Sequence, residues 1–405
     1  MINIAVAQSG GPTCAINSSL AGVFSEAFKS DEIGIVYGFK NGVEGIIHDN
    51  IVNLNERLSE PQNIELLKLT PSTALGSCRV KLPDMEDSTE PYEIIINTFN
   101  KYNIKAFFYI GGNDSMDTVA KLSKYLSSIQ SDIKVMGIPK TIDNDLVGTD
   151  HTPGFGSAAK YIATTVQEII RDSQVYSLNS VTIIEIMGRD AGWLTASASV
   201  LRANGETAPH LSYLPEIPFS PEQFLKDIKA AQKEHKAVII AVSEGIRLSD
   251  GNYVASGHLS GSVDVFGHQY LSGLGKYLEN YVKQELKCKV RSVELNVMQR
   301  CSSHLASLTD INEAHDIGVA AVKEMLKGTT GKMMCYVREN GRDYSIKMET
   351  VNISEVANKE KFFPKEWVNE KENNIKDEAI NYFLPLIQGE VSPAMNKGMP
   401  VHFKF

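Results

Sequence analysis

The 405-residue sequence has five scattered cysteines (Cys14, Cys78, Cys288, Cys301 and Cys335), odd in number, and no CxxC pair. A disulfide framework and a zinc ribbon are therefore not expected, and a reduced, cytoplasmic chain is. No apolar stretch approaches the roughly 18 residues that span a bilayer. The opening MINIAVAQSGG lacks a basic leader region, so it reads as a buried strand rather than a secretory signal or an anchor. There is no long basic run, and the net charge is −9, which argues against nucleic acid as a partner. Repeats of short fixed period and low-complexity tracts are missing too.

What the sequence does have is 42% hydrophobic residues, enough for two domains with real cores. Short apolar runs recur at Ile2–Ala7, Ile33–Tyr37, Ala106–Ile110, Ile133–Ile138, Val181–Ile186, Ala237–Val242 and Val293–Val297. Several are nearly all apolar, as strands buried on both faces are. Helical periodicity lies between them, with Ala158, Ile162, Val166 and Ile169–Ile170 on one face and Leu225, Ile228 and Ala231 on another. The pattern predicts an α/β protein with mostly parallel, doubly wound sheets. Ligands bind such sheets beyond the carboxyl ends of the strands. Six runs lead directly into polar or glycine-rich turns: Ser9-Gly10-Gly11-Pro12, Gly111-Gly112-Asn113-Asp114-Ser115, PKTIDND (139–145), MGRDAGW (187–193), Ser243-Glu244-Gly245, and Gln299-Arg300. One Gly-Gly turn is ordinary; six converging strand ends predict a site.

The two glycine loops suit anions, because backbone N–H groups and a following helix N-terminus supply partial positive charge. Neither matches GxxxxGK[ST] or GxGxxG. Cations must come from elsewhere, and Arg79, Lys81, Lys140, Arg189 and Arg300 are the candidates. Asp143 and Asp145 are alternate loop residues, open to a role as general base or metal contact, or equally to a plain turn. Glu244 suits a sugar hydroxyl, and Trp193 suits packing. Two anion loops, several cations and a carboxylate pair beside Lys140 fit phosphoryl transfer, where catalysis is mainly positioning and charge stabilisation.

SGGP, GSCR, GGNDS, PKTIDND, GFGSA, MGRDAGW, SEG and QR follow one another in an order and spacing that resemble the phosphofructokinases, from residue 3 to about 325. The resemblance implies two α/β domains with the active site in the cleft between them. Residues 1–150 plus about 305–365 would bind the phosphoryl donor, about 151–304 the sugar phosphate, and about 366–405 would form a C-terminal extension. It implies Asp143 as the base for the 1-hydroxyl of fructose 6-phosphate, with Thr141 and Asp145 beside it. Met187, Gly188, Arg189, Glu244, Gln299 and Arg300 would bind the sugar phosphate, and Gly11, Arg79 and Gly112 the donor. Magnesium is the implied cofactor, with Asn113 at the metal site, and a homo-oligomer, dimer or tetramer, is the implied assembly.

The departures inform most. ATP-using members read GGDGS and PGTIDND; here Asp114 and Lys140 replace the two glycines, a combination that marks the pyrophosphate-dependent members. A carboxylate at Asp114 would take the place of a nucleotide α-phosphate, while Lys140 would meet charge developing on the transferred group. Asn113 stands where many relatives have Asp. The first helix lacks the effector-binding arginines of allosteric members, and Ser180 and Thr309 replace two arginines that reach substrate, leaving His304 as a substitute phosphate donor. Two alternatives stay open: sedoheptulose 7-phosphate as acceptor, or a catalytically silent regulatory subunit.

Overall fold

A computed structural model describes residues 1–255, 273–341, 343–371 and 373–405. Eleven strands in these residues form its two main sheets: β1 (Ile2–Gln8), β2 (Ile33–Phe39), β3 (Ile51–Asn53), β4 (Ile104–Gly111), β5 (Lys134–Pro139), β6 (Ser180–Ile186), β7 (Leu211–Tyr213), β8 (Ala237–Ser243), β9 (Lys289–Glu294), β10 (Lys332–Arg338) and β11 (Ile346–Asn352). The larger sheet has the order β11-β10-β5-β4-β1-β2-β3, the smaller β7-β8-β6-β9. The smaller is parallel throughout. The larger is parallel except at its edges, where β3 and β11 run antiparallel to their neighbours.

The near-continuous apolar character of β1 has a direct cause. Ile4 and Val6 pack on one face of the sheet with the helices Ile16–Lys29 and Leu308–Leu326. Ala5 and Ala7 pack on the other with the helices Glu90–Lys101 and Asn113–Ser128. Each fully buried Ile or Val contributes roughly 1.5–3 kcal/mol, so neither face tolerates polar residues. The helix Phe155–Ser173 buries Ala158, Ile162, Val166 and Ile170, with Ile169 at the edge, against Ala379, Ile380, Phe383 and Leu386 of the C-terminal segment.

The run Val293–Val297 was expected to be a strand. The structure ends β9 at Glu294: Asn296 takes a left-handed conformation (φ 44°) and Val297 caps the short helix Met298–Cys301. An Asn adopts that conformation more readily than a β-branched residue, and it breaks the run in mid-pattern.

One buried polar network ties the loop after β5 to the helix Leu308–Leu326. His151 is 2% exposed and lies 2.9 Å from Asp150 and 2.8 Å from Glu313. Burial alone would lower its pKa, but the two carboxylates outweigh it and the net shift is upward. The folded protein thus holds a proton that the unfolded chain releases near pH 6.5. This contribution to stability is complete below that pH and is lost as pH rises through the raised folded-state value. Thermal melts of the protein and of His151→Gln at pH 6 and pH 9 check this: the gap between them should shrink at the higher pH.

Candidate active site

Strand register explains why the loops meet. Gln8 pairs with Ile110, and Gly111 with Pro139, so the turns after β1, β4 and β5 leave the larger sheet side by side. In the smaller sheet Ile186 pairs with Ser243, and Glu185 with Glu294, which gathers the turns after β6, β8 and β9. In the larger sheet the order reverses at β1/β4, the kind of switch point where doubly wound sheets bind ligands. Both sets of turns line one cleft of about 880 Å³. Every expected site residue lines it except Gly188, Gln299 and His304.

Glycine is required on the larger-sheet side. Gly10 has φ +76°, and a Cβ there would come 3.2 Å from Lys140 Nζ; at Gly111 it would fall 1.9 Å from Ser115 Oγ. Lys140 is 1% exposed. Its Nζ donates to the Gly11 carbonyl at 2.5 Å and its backbone N–H to the Gly111 carbonyl at 2.9 Å, pinning three loops together. Burial pushes the Lys140 ammonium down to about 8, against the pull of Asp143 and Asp145.

Asp114 lies in the first turn of the helix Asn113–Ser128, where the helix N-terminus favours a carboxylate. Lys81 pairs with it at 2.9 Å. The side chain of Asn113, expected at a metal, is engaged elsewhere. Its Oδ1 accepts from Asn358 N–H at 2.8 Å and its Nδ2 donates to the Lys359 carbonyl at 2.9 Å. A neutral amide that both donates and accepts suits this clasp; a carboxylate could only accept.

Asp143 N–H donates to Thr141 Oγ1 at 3.1 Å. Burial first, then Asp145, push the Asp143 carboxyl up to about 7, with Arg189, Lys140 and Arg300 opposing. Asp145 is also raised by burial, and a hydrogen bond with Thr141 opposes that shift. Without a bound cation, the burial of these two adjacent carboxyls outweighs the surrounding cations.

On the smaller-sheet side, Glu244 is pushed up to about 8 by burial, Asp143 and Glu185, against a hydrogen bond from Gly188 N–H and the charge of Arg189. Arg189 Nε is buried and has no hydrogen-bond partner among the described residues, an orphaned donor that fits an anionic ligand. Gly188 and Gln299 act behind the wall. Gly188 (φ +124°) makes the turn that carries Arg189, and a Cβ there would meet the Ala191 carbonyl at 2.7 Å. Gln299 accepts from Met187 N–H at 3.2 Å and donates to the Asn296 carbonyl at 3.0 Å. His304 is exposed and outside the cleft lining; Ser180 and Thr309 are half-buried and also outside it.

Sequence reasoning missed Glu185, Asp190, Glu294, Asn358, Glu360 and Phe362 in the lining. Glu294 is the last residue of β9, and a correct end for that strand would have brought it forward; Glu185 lies next to the end of β6. Segment 358–362 carries no such signal and arrives from a distant part of the chain. Among the described residues no group of three or more His, Cys, Asp or Glu could by itself hold a metal ion, and no helix is long and apolar enough to cross a membrane.

Comparison with known proteins adds to this geometry. The family model for phosphofructokinase matches residues 3–325. A pyrophosphate–fructose 6-phosphate 1-phosphotransferase from Halomonas elongata is 38% identical over 402 residues, covering 98% of this chain and 94% of that protein. A solved pyrophosphate-dependent phosphofructokinase from Nitrosospira multiformis superposes with a TM-score of 0.88 at 34% identity, covering 98% of this chain and 95% of that one. Another from Marinobacter aquaeolei gives 0.87 at 35% identity, covering 100% and 96%.

Proposed function

The chain belongs to the phosphofructokinase family, and we propose that it transfers a phosphoryl group from pyrophosphate to O1 of fructose 6-phosphate, giving fructose 1,6-bisphosphate. The observation that carries the choice of donor is Asp114, fixed by Lys81 at 2.9 Å on the helix N-terminus beside the glycine loop. A nucleotide would bring a second anionic group against that carboxylate; pyrophosphate is shorter and does not.

The larger-sheet side of the cleft takes pyrophosphate, with Gly11, Gly112 and Arg79 on the phosphates. The smaller-sheet side takes the sugar phosphate. Arg189 and Arg300 meet the 6-phosphate, Glu244 accepts from sugar hydroxyls, and Met187 and Gly188 shape the wall. Asp143 accepts the O1 proton as O1 attacks phosphorus. Lys140 faces the negative charge that develops as the bond to the leaving phosphate breaks. The Asp143–Asp145 pair is a buried hard-oxygen set whose mutual repulsion a divalent cation would relieve, so these two, with the donor's own oxygens, would hold magnesium. Magnesium, when bound, neutralises phosphate charge; Asn113, occupied with residues 358–359, is the weaker ligand.

The acceptor named in the relatives is fructose 6-phosphate, which disfavours a seven-carbon sugar. The assembly of Asp143, Lys140 and Arg189 in one cleft disfavours a silent subunit. A homo-oligomer in the cytoplasm remains the proposed state. The test is a coupled assay with purified protein, magnesium, fructose 6-phosphate and either donor. Turnover with pyrophosphate and little with ATP is expected; efficient turnover with ATP alone overturns the reading.

A further inference from the structure

Segment 358–363 belongs to none of the motifs that point to phosphoryl transfer, yet it crosses directly behind the catalytic turn. Lys361 is its centre. A lysine ammonium has three donors, and those of Lys361 go to Asn144 Oδ1 at 3.1 Å, the Thr149 carbonyl at 3.2 Å and the Asp150 carbonyl at 2.8 Å. Its backbone N–H donates to the Asp145 carbonyl at 2.7 Å, and its own carbonyl accepts from Trp193 Nε1 at 3.0 Å. With all three donors spent on the protein, Lys361 is left to orient rather than to bind substrate.

What it orients is an unusual turn. Asn144 lies between the two site carboxylates, is fully buried, and has φ +55°. Asn adopts this left-handed conformation at a cost that the surroundings must offset. Both ends of its side chain are held: Oδ1 by Lys361, and Nδ2 by the Tyr382 hydroxyl at 3.0 Å, which itself donates to the Asp150 carbonyl at 2.7 Å. A left-handed residue between Asp143 and Asp145 lets both line the cleft.

We propose that Lys361, with Tyr382, is a positioning residue for phosphoryl transfer: the pair holds Asn144 in its left-handed turn and so fixes the Asp143 carboxylate against the acceptor hydroxyl. This rests on the function proposed above. Displacing a reacting group by about 1 Å can cost on the order of 10²-fold.

The test is steady-state kinetics of the full-length protein carrying Lys361→Met, with turnover normalised to folded protein. The expected result is a kcat lower by about 10–100-fold with KM for pyrophosphate and fructose 6-phosphate within about twofold. In an Asp143→Asn background the same substitution should add almost nothing, because a residue that acts through Asp143 has no effect without it. A residue that only stabilises the fold would lower Tm in both backgrounds and leave kcat per folded molecule unchanged; that outcome overturns the proposal. Should Lys361→Met fail to fold, Tyr382→Phe keeps the aromatic packing and should still lower kcat several-fold at constant KM; an unchanged kcat counts against it. Activity of the parent protein with pyrophosphate is measured first, so that failure of the proposed function is told apart from failure of this inference.

Discussion

Replacing Asp143 by Asn should lower kcat with pyrophosphate by roughly 10³-fold, within the 10²–10⁴-fold range of a positioned general base, and leave both KM values within about threefold. The amide keeps the shape of the turn and its bond from Asp143 N–H to Thr141 but cannot take the O1 proton. The parent's pH profile should carry the same signature. Activity needs the ionised carboxylate, and burial together with Asp145 pushes that group up to about 7. At low magnesium the acid limb of kcat/KM should therefore lie well above the ordinary aspartate value of about 4, with activity falling as pH drops through it, and magnesium on the Asp143–Asp145 pair should move it down. Stability should move in the opposite sense. The folded carboxyl binds its proton more tightly than the unfolded one, so between about pH 4 and pH 7 its contribution to stability falls as pH rises. Asp143→Asn should accordingly raise Tm more at pH 8 than at pH 5. Near-normal turnover in the variant would remove Asp143 from the role of base.

Much of this site was legible because parallel α/β sheets force it to be. Once apolar runs buried on both faces are recognised, the turns after them must collect at one end of each sheet, and Gly11, Lys140, Arg189 and Glu244 follow from position alone. Two kinds of feature were not legible. The first depends on geometry within a loop. Nothing in TIDND says that Asn144 turns left-handed, and nothing in VELNV says that Asn296 ends the strand early. The second depends on contacts distant in sequence. Asn113 looked like a metal ligand robbed of its charge until Asn358 and Lys359 appeared at its two ends. Local pattern cannot report a partner some 245 residues away. The buried state of Asp143 is of the same kind: the sequence shows Lys140 three residues before it but not the surrounding protein that excludes water.

Asp114→Gly should shift donor use from pyrophosphate towards ATP. In the parent, the carboxylate occupies the helix N-terminus beside the glycine loop and neutralises Lys81 at 2.9 Å. An incoming nucleotide would have to place an anionic group against it, and such like-charge contacts cost several kcal/mol, enough to reject ATP by at least about 10²-fold. The glycine variant changes three things together. It removes the repulsion, opens the volume of the side chain, and takes the carboxylate away from Lys81 and the helix N-terminus, both of which favour phosphate. We expect ATP-dependent turnover to rise from near background by about 10–10²-fold in kcat/KM, and pyrophosphate-dependent kcat/KM to fall by about tenfold or more. The loss has a cause of its own: without the Lys81–Asp114 pair, the short donor has a less defined seat relative to Lys140. This change leaves the sequence at Lys140, buried against Gly11 in the parent, as it is, so full ATP efficiency is not expected from it alone. Donor kinetics on the parent, Asp114→Gly and Asp114→Asn separate charge from volume. If Asn admits ATP as well as Gly does, repulsion is the barrier; if only Gly admits it, the barrier is space. Unchanged pyrophosphate use with no gain of ATP in either variant would show that the donor is chosen elsewhere in the cleft.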